Sequence, residues 1–125
     1  MAKSKWYSGS VRVMIGPRVD PQSVELSADY HLDVPGLAVN KYPFQRRWMV
    51  THAPSSLLVV SDIKSRSEAR RVLEDLGRLA VACGGTWNLP FEELVKSRCL
   101  FAQAAAFVIK LRTAASGLVG RTYGG

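Results

Sequence analysis

Val24-Glu25-Leu26-Ser27-Ala28-Asp29-Tyr30-His31-Leu32-Asp33-Val34 is apolar at every even position and polar at every odd one. Side chains of an extended chain point alternately to opposite faces, so this unbroken alternation predicts a long strand. The even residues are expected in the core, and Glu25, Asp29, His31 and Asp33 on a solvated face. Pro35-Gly36 is a turn signal, and Leu37 to Tyr42 can run back as a second strand.

Working outward, Val11 to Ile15, Arg47 to His52 and Leu57 to Val60 read as further strands, with Ala53-Pro54-Ser55-Ser56 as a hairpin loop. Short, turn-rich connections between five strands predict an antiparallel meander. The period then changes. Ser65-Arg66-Ser67-Glu68 matches a capping box, and Ala69, Val72, Leu73, Leu76, Ala80 and Cys83 follow at helical spacing until Gly84-Gly85 ends the helix. Asn88, Pro90, Glu92 and Glu93 start a second helix, expected to run unbroken to about Ala115. The predicted fold class is α+β: an antiparallel sheet of four to five strands followed by two C-terminal helices packed on one face. Residues 1–116 form the single domain and 117–125 a flexible tail.

The chain has 125 residues, 17 Lys and Arg against 10 Asp and Glu, a net charge of +7, and 47% hydrophobic residues. That composition excludes collagen-like, coiled-coil and wholly disordered chains, and the length suffices for one core without metals or disulfides. Lys3 and Lys5 are followed by no apolar run, so no secretory signal is read. The apolar stretch Cys99–Leu111 is shorter than the about 20 residues a bilayer span requires. No membrane role is expected. Cys83 and Cys99 lack a CxxC pattern or a neighbouring His, so they read as two buried thiols of a reducing, cytoplasmic compartment and not as a zinc site.

Candidate chemistry is sparse. His31 shares a strand face with Glu25, Asp29 and Asp33, but His-x-His is absent and no metal is expected. Thr51-His52 with Ser55-Ser56 pairs a hydroxyl with a base, yet there is no G-x-S-x-G and no evident carboxylate to orient the imidazole. Neither a P-loop nor G-x-G-x-x-G occurs. The reading is therefore no enzyme, no cofactor and no small-molecule substrate.

The basic and aromatic residues carry the strongest signal. Lys3, Lys5, Trp6, Tyr7, Arg12 and Arg18 lie near the N-terminus; Lys41, Tyr42, Phe44, Arg46, Arg47 and Trp48 lead into a strand. Lys64, Arg66, Arg70 and Arg71 crowd the start of the first helix. Cations neutralise phosphates and aromatic faces stack on bases, so this combination suits a nucleic-acid-binding module.

Arg47-Trp48-Met49-Val50-Thr51-His52, a turn, Leu57 to Val60, then Ile63-Lys64-Ser65-Arg66-Ser67-Glu68-Ala69 resembles the arm-type DNA-binding domain of phage and transposon integrases. There, a Trp-containing strand, a short turn and a second strand lead into a Lys-Ser/Thr-x-x-Glu-Ala helix start. The resemblance covers residues 38–79. It implies a sheet that enters the DNA major groove, with Lys41, Arg46, Arg47 and Trp48 as sheet contacts, and favours DNA over RNA. The hairpin tip lacks that family's usual Gly and basic residues, and the 20–34 strand has no counterpart there.

The leading expectation is a small, basic, non-catalytic nucleic-acid-binding protein of phage or mobile-element type, binding through Lys41, Arg46, Arg47, Trp48, Lys64, Arg66, Arg70 and Arg71. The second helix is apolar on nearly all sides. Leu100, Phe101, Phe107, Val108 and Leu111 are accordingly expected to form a homo-oligomer interface. The alternative is a protein–protein module, an assembly subunit or an inhibitor of a host protein, using that same helix.

Overall fold

Ten consecutive pairs, from Trp6 opposite His31 to Ile15 opposite Gln22, join β1 (Trp6–Ile15) to β2 (Gln22–His31). The computed structural model describes residues 4–15, 19, 22–42 and 45–122, residues 112–122 by backbone alone. Three more strands, β3 (Leu37–Lys41), β4 (Trp48–His52) and β5 (Leu57–Ile63), complete an antiparallel sheet in chain order. The helices α1 (Arg66–Ala82), α2 (Phe91–Leu94) and α3 (Arg98–Thr122) follow, which gives the expected α+β class. α3 takes in residues 117–122 of the expected tail, and 123–125 lie outside the described residues. No helix among the described residues is long and apolar enough to cross a membrane.

β2 meets β3 at two paired positions only, Asp29 opposite Val39 and Tyr30 opposite Ala38, so most of the β1–β2 ribbon runs past β3. It curls, and β1 approaches β5. Two apolar clusters result. Leu37, Val39 and Val50 face the helices and pack with Leu73, Leu76 and Leu100. Their strand neighbours Ala38 and Met49 point the other way, into a second cluster with Val11, Val13 and Ala28 inside the curl.

This arrangement corrects the reading of the 24–34 strand. Its even residues Val24, Leu26, Ala28 and Tyr30 do pack in an apolar cluster, but on the face away from the helices. The odd face is solvated only in part: Glu25 and Asp33 are exposed, but Asp29 and His31 are buried beneath α1 and β1. The strand also ends at His31, leaving Leu32 exposed in the turn, whereas Val34 folds back under α1. Gly77 admits it, because a Cβ there would collide with the Val34 side chain.

Local signals place α1 well. The Ser65 hydroxyl accepts from the Glu68 amide at 3.1 Å, and Ala69, Val72, Leu73, Leu76 and Ala80 form its buried stripe. The second helix is not continuous. It breaks between Leu94 and Arg98, where the Lys96 and Ser97 amides close tight turns onto Glu93 and Leu94. The break lets both Leu94 and Leu100 turn inward.

The break also sets Cys99 at the first turn of α3 beside Cys83, the C-cap of α1, with Cα atoms 5.7 Å apart and the sulfurs bonded. The expectation of two reduced, buried thiols is thus corrected. Neither cysteine is buried; Cys99 is exposed. The bridge closes a loop of 16 residues' separation, which limits the freedom of the unfolded chain. Reduction, or Cys83→Ser with Cys99→Ser, should cost roughly 2–4 kcal/mol. Urea midpoints with and without reductant measure this, and equal midpoints would contradict it.

Candidate nucleic-acid interface

The last residue of β3, Lys41, pairs with Trp48, which in turn pairs with Ile63 at the end of β5. One end of the sheet therefore gathers the last residues of β3 and β5 and the first of β4. Arg47 and Lys64 lie one residue beyond this row, and Arg46 sits in the β3–β4 connection, which the Tyr42 amide closes by donating to the Arg47 carbonyl at 2.8 Å. α1 begins at the same end. Lys41, Arg46, Arg47, Lys64 and Arg71 are exposed, and none of them makes an ion pair among the described residues.

Cations and aromatic rings alternate inward from this end. Lys41 Nζ lies 5.6 Å and Arg66 Cζ 5.8 Å from the centre of the Trp48 ring. Arg66 donates through Nε and Nη2 to both oxygens of Asp29, each at 2.6 Å. One helical turn on, Arg70 donates to Asp29 Oδ2 at 3.2 and 3.1 Å. Its guanidinium carbon lies 4.8 Å from the Trp6 ring centre, and Trp6 meets His31 edge-on. Ser65, Arg66, Ser67 and Arg70 line a shallow open depression beside this series.

The electrostatics follow from geometry. Asp29 is only 6% exposed, and an unpaired carboxylate there would be costly. The Arg66 hydrogen bonds hold its carboxyl below the ordinary 3.8, against the opposing effect of burial and with further help from Arg70. Arg66 is held protonated in return. One acid thus answers two guanidiniums, and the group of Lys41, Arg66, Arg70 and Asp29 stays net positive.

Of the eight residues expected to bind nucleic acid, Lys41, Trp48, Arg66 and Arg70 form this connected group, and Arg46, Arg47 and Lys64 border it. Arg71 lies exposed on α1 without a described partner. Phe44, Lys3 and Arg18 lie outside the described residues. Sequence reasoning missed Asp29 as the organiser, since its strand pattern put it in solvent. His31 is corrected likewise: buried, it accepts at Nδ1 from the Asp33 amide, 3.1 Å away. No group of three or more potential ligands for a metal occurs among the described residues.

Of the five residues expected at an oligomer interface, one belongs to the core. Leu100 is fully buried in the chain's own core, while Phe107, Val108 and Leu111 pack partly against it. Only Phe101 of that set is largely exposed. Between Arg98 and Leu111 the helix buries only Leu100 and Ala104 fully, and Phe101 and Ile109 stand exposed.

Comparison with family models, curated proteins and solved structures finds no match to this chain.

Asp29 supplies stability that is complete above its ordinary value of 3.8 and is lost as pH falls through its lowered folded value. Asp29→Asn should lower stability at neutral pH by about 1–3 kcal/mol and flatten the acid limb below pH 3.8. Urea unfolding at stepped pH reads both effects. A variant with an unchanged acid limb would show that the carboxylate is not the group involved.

Proposed function

We propose that the chain is a polynucleotide-binding module whose contact surface is the basic sheet end together with the first turns of α1. The observation that carries the reading is the interleaving of Lys41, Trp48 and Arg66 on neighbouring elements, bordered by Arg46, Arg47 and Lys64. Phosphates would meet the exposed cations, releasing counterions. Trp48, half-buried between two cations, supplies a rigid aromatic edge at the centre of the patch. Arg66 flanks it and Arg70 flanks Trp6; both are partly occupied by Asp29 and contribute field more than free hydrogen-bond donors.

DNA is favoured as the polymer by the hairpin-then-capped-helix order of residues 47–69, the feature that resembles integrase arm-type domains. The net charge of +7 supports attraction to any polyanion. Binding should weaken steeply with salt. Arg46→Ala with Arg47→Ala should reduce the slope of log affinity against log salt by about 2, with little change in stability. A gel-shift series against mixed-sequence duplex and single strands measures the slope, and absence of any shift at low salt removes the reading.

A further inference from the structure

At the opposite end of β4 the surface has a different character. His52 ends that strand, opposite Leu37 on one side and Leu57 on the other. From there a groove of about 380 Å³ opens between β5 and α3, with Trp87, Phe91 and Phe101 in its walls. None of its thirteen lining residues is charged, and His52 and Ser55 alone among them bear imidazole or hydroxyl groups. The volume is within the range of small-molecule sites.

The tautomer of His52 follows from its partners. Nε2 lies 2.8 Å from the Trp87 carbonyl oxygen, which only accepts, so Nε2 carries the hydrogen. Nδ1 of the neutral ring is then an acceptor, and the Ser55 hydroxyl, 2.6 Å away, donates to it. Burial lowers the ring's proton affinity from the ordinary 6.5, and the Trp87 and Leu89 carbonyls oppose that only in part. The imidazole is thus neutral at pH 7 and free to take a proton.

The orienting carbonyl is firmly held. Gly36, at φ +99°, packs so closely on the Trp87–Asn88 peptide that a Cβ would lie 2.5 Å from Trp87 backbone atoms. The Trp87 indole donates to the Leu76 carbonyl at 2.9 Å, and the Cys83–Cys99 bridge closes the loop that carries it. A hydroxyl, a base and a fixed acceptor behind the base are the parts of an activated nucleophile. The third member, which the sequence lacks as a carboxylate, is here a backbone carbonyl.

We propose that Ser55 is a nucleophile activated by His52, and that the groove is the acyl site for carboxylic esters with an apolar acyl chain. Ser55 Oγ attacks the ester carbonyl carbon while its proton passes to His52 Nδ1. The tetrahedral intermediate collapses, the bond to the alcohol oxygen breaks, and that oxygen leaves with the proton from Nδ1. Water then adds to the acyl-serine, giving its proton to Nδ1. Collapse releases the carboxylic acid and returns the proton to Ser55. The sum is ester plus water giving acid plus alcohol.

The Ser56 amide directly follows the nucleophile and makes no backbone hydrogen bond among the described residues, so it is available as a donor to the developing oxyanion. Esters fit better than amides or phosphoesters. A carbonyl stabilises the imidazolium less than a carboxylate does, which suits a good leaving group. The uncharged lining offers a phosphate no cation.

The test uses the full chain, a fluorescent fluorophosphonate and 4-nitrophenyl esters. The probe should label Ser55, located by peptide mapping, and Ser55→Ala should take no label. The hexanoate should turn over roughly tenfold or more faster than the acetate, reflecting burial of its longer chain. The rate should rise with pH as His52 loses its proton, with a midpoint below 6.5, because no other titratable side chain lines the groove. Since Ser55 also accepts from the Leu57 amide, Ser55→Ala could loosen the hairpin. Ser55→Cys, which preserves the turn's size, should then be alkylated at that position by iodoacetamide at pH 7. Folded wild-type protein that takes no label and hydrolyses neither ester above the buffer rate overturns the proposal, as does labelling elsewhere.

Discussion

A nearly buried carboxylate shared by two guanidiniums fixes how the helical layer sits on the sheet. Asp29 belongs to β2, Arg66 and Arg70 to successive turns of α1, and the three hold the helix in one position along the strand. Apolar packing under α1 supplies most of the attraction but is tolerant of sliding. Bidentate pairing is not, because the fork of Arg66 matches both carboxylate oxygens in a single geometry. The same pairing draws Arg66 over Trp48 and Arg70 over Trp6, so the anchor of the fold and the aromatic-cationic surface are one arrangement.

The other end of the sheet is organised by backbone instead of charge. Gly36 lets the 87–88 peptide lie against the β2–β3 turn, and the Ala53 amide donates to the Gly36 carbonyl at 2.8 Å. Thus the β2–β3 turn, the β4–β5 hairpin and the loop after α1 meet at one residue without a side chain. Cations without an ion pair among the described residues gather at one end of β4, and an uncharged groove opens at the other. The two proposed activities accordingly stand on different residues, and either can fail without the other.

What was legible in the sequence was local. Strict alternation located β2, Pro35-Gly36 located its turn, and Ser65 with the spacing of Ala69, Val72 and Leu76 located α1. Faces and partners were not legible, since each depends on residues far along the chain. Asp29 looks solvated until Arg66 and Arg70, 37 and 41 positions later, fold over it. His52 lacks an orienting group until Trp87 arrives from 35 positions away. The cysteines pair only because the second helix breaks before Arg98, and the continuous apolar pattern of that region gave no sign of the break. For the proposed polyanion surface, the relevant residue types could be read directly, but their division into exposed cations and Asp29-bound ones could not.

The curl of the sheet also bears on how the chain behaves in a crowd. Leu57-Leu58-Val59-Val60 is an uninterrupted apolar run on an outer strand, a ready template for edge-to-edge growth with neighbouring molecules. Because β1 bends around towards β5, each outer strand partly shields the other, and the Asp62 kink at φ +58° turns the end of β5 out of regular extension. Edge-to-edge growth is thereby hindered by shape as well as by like charge on a chain of net charge +7.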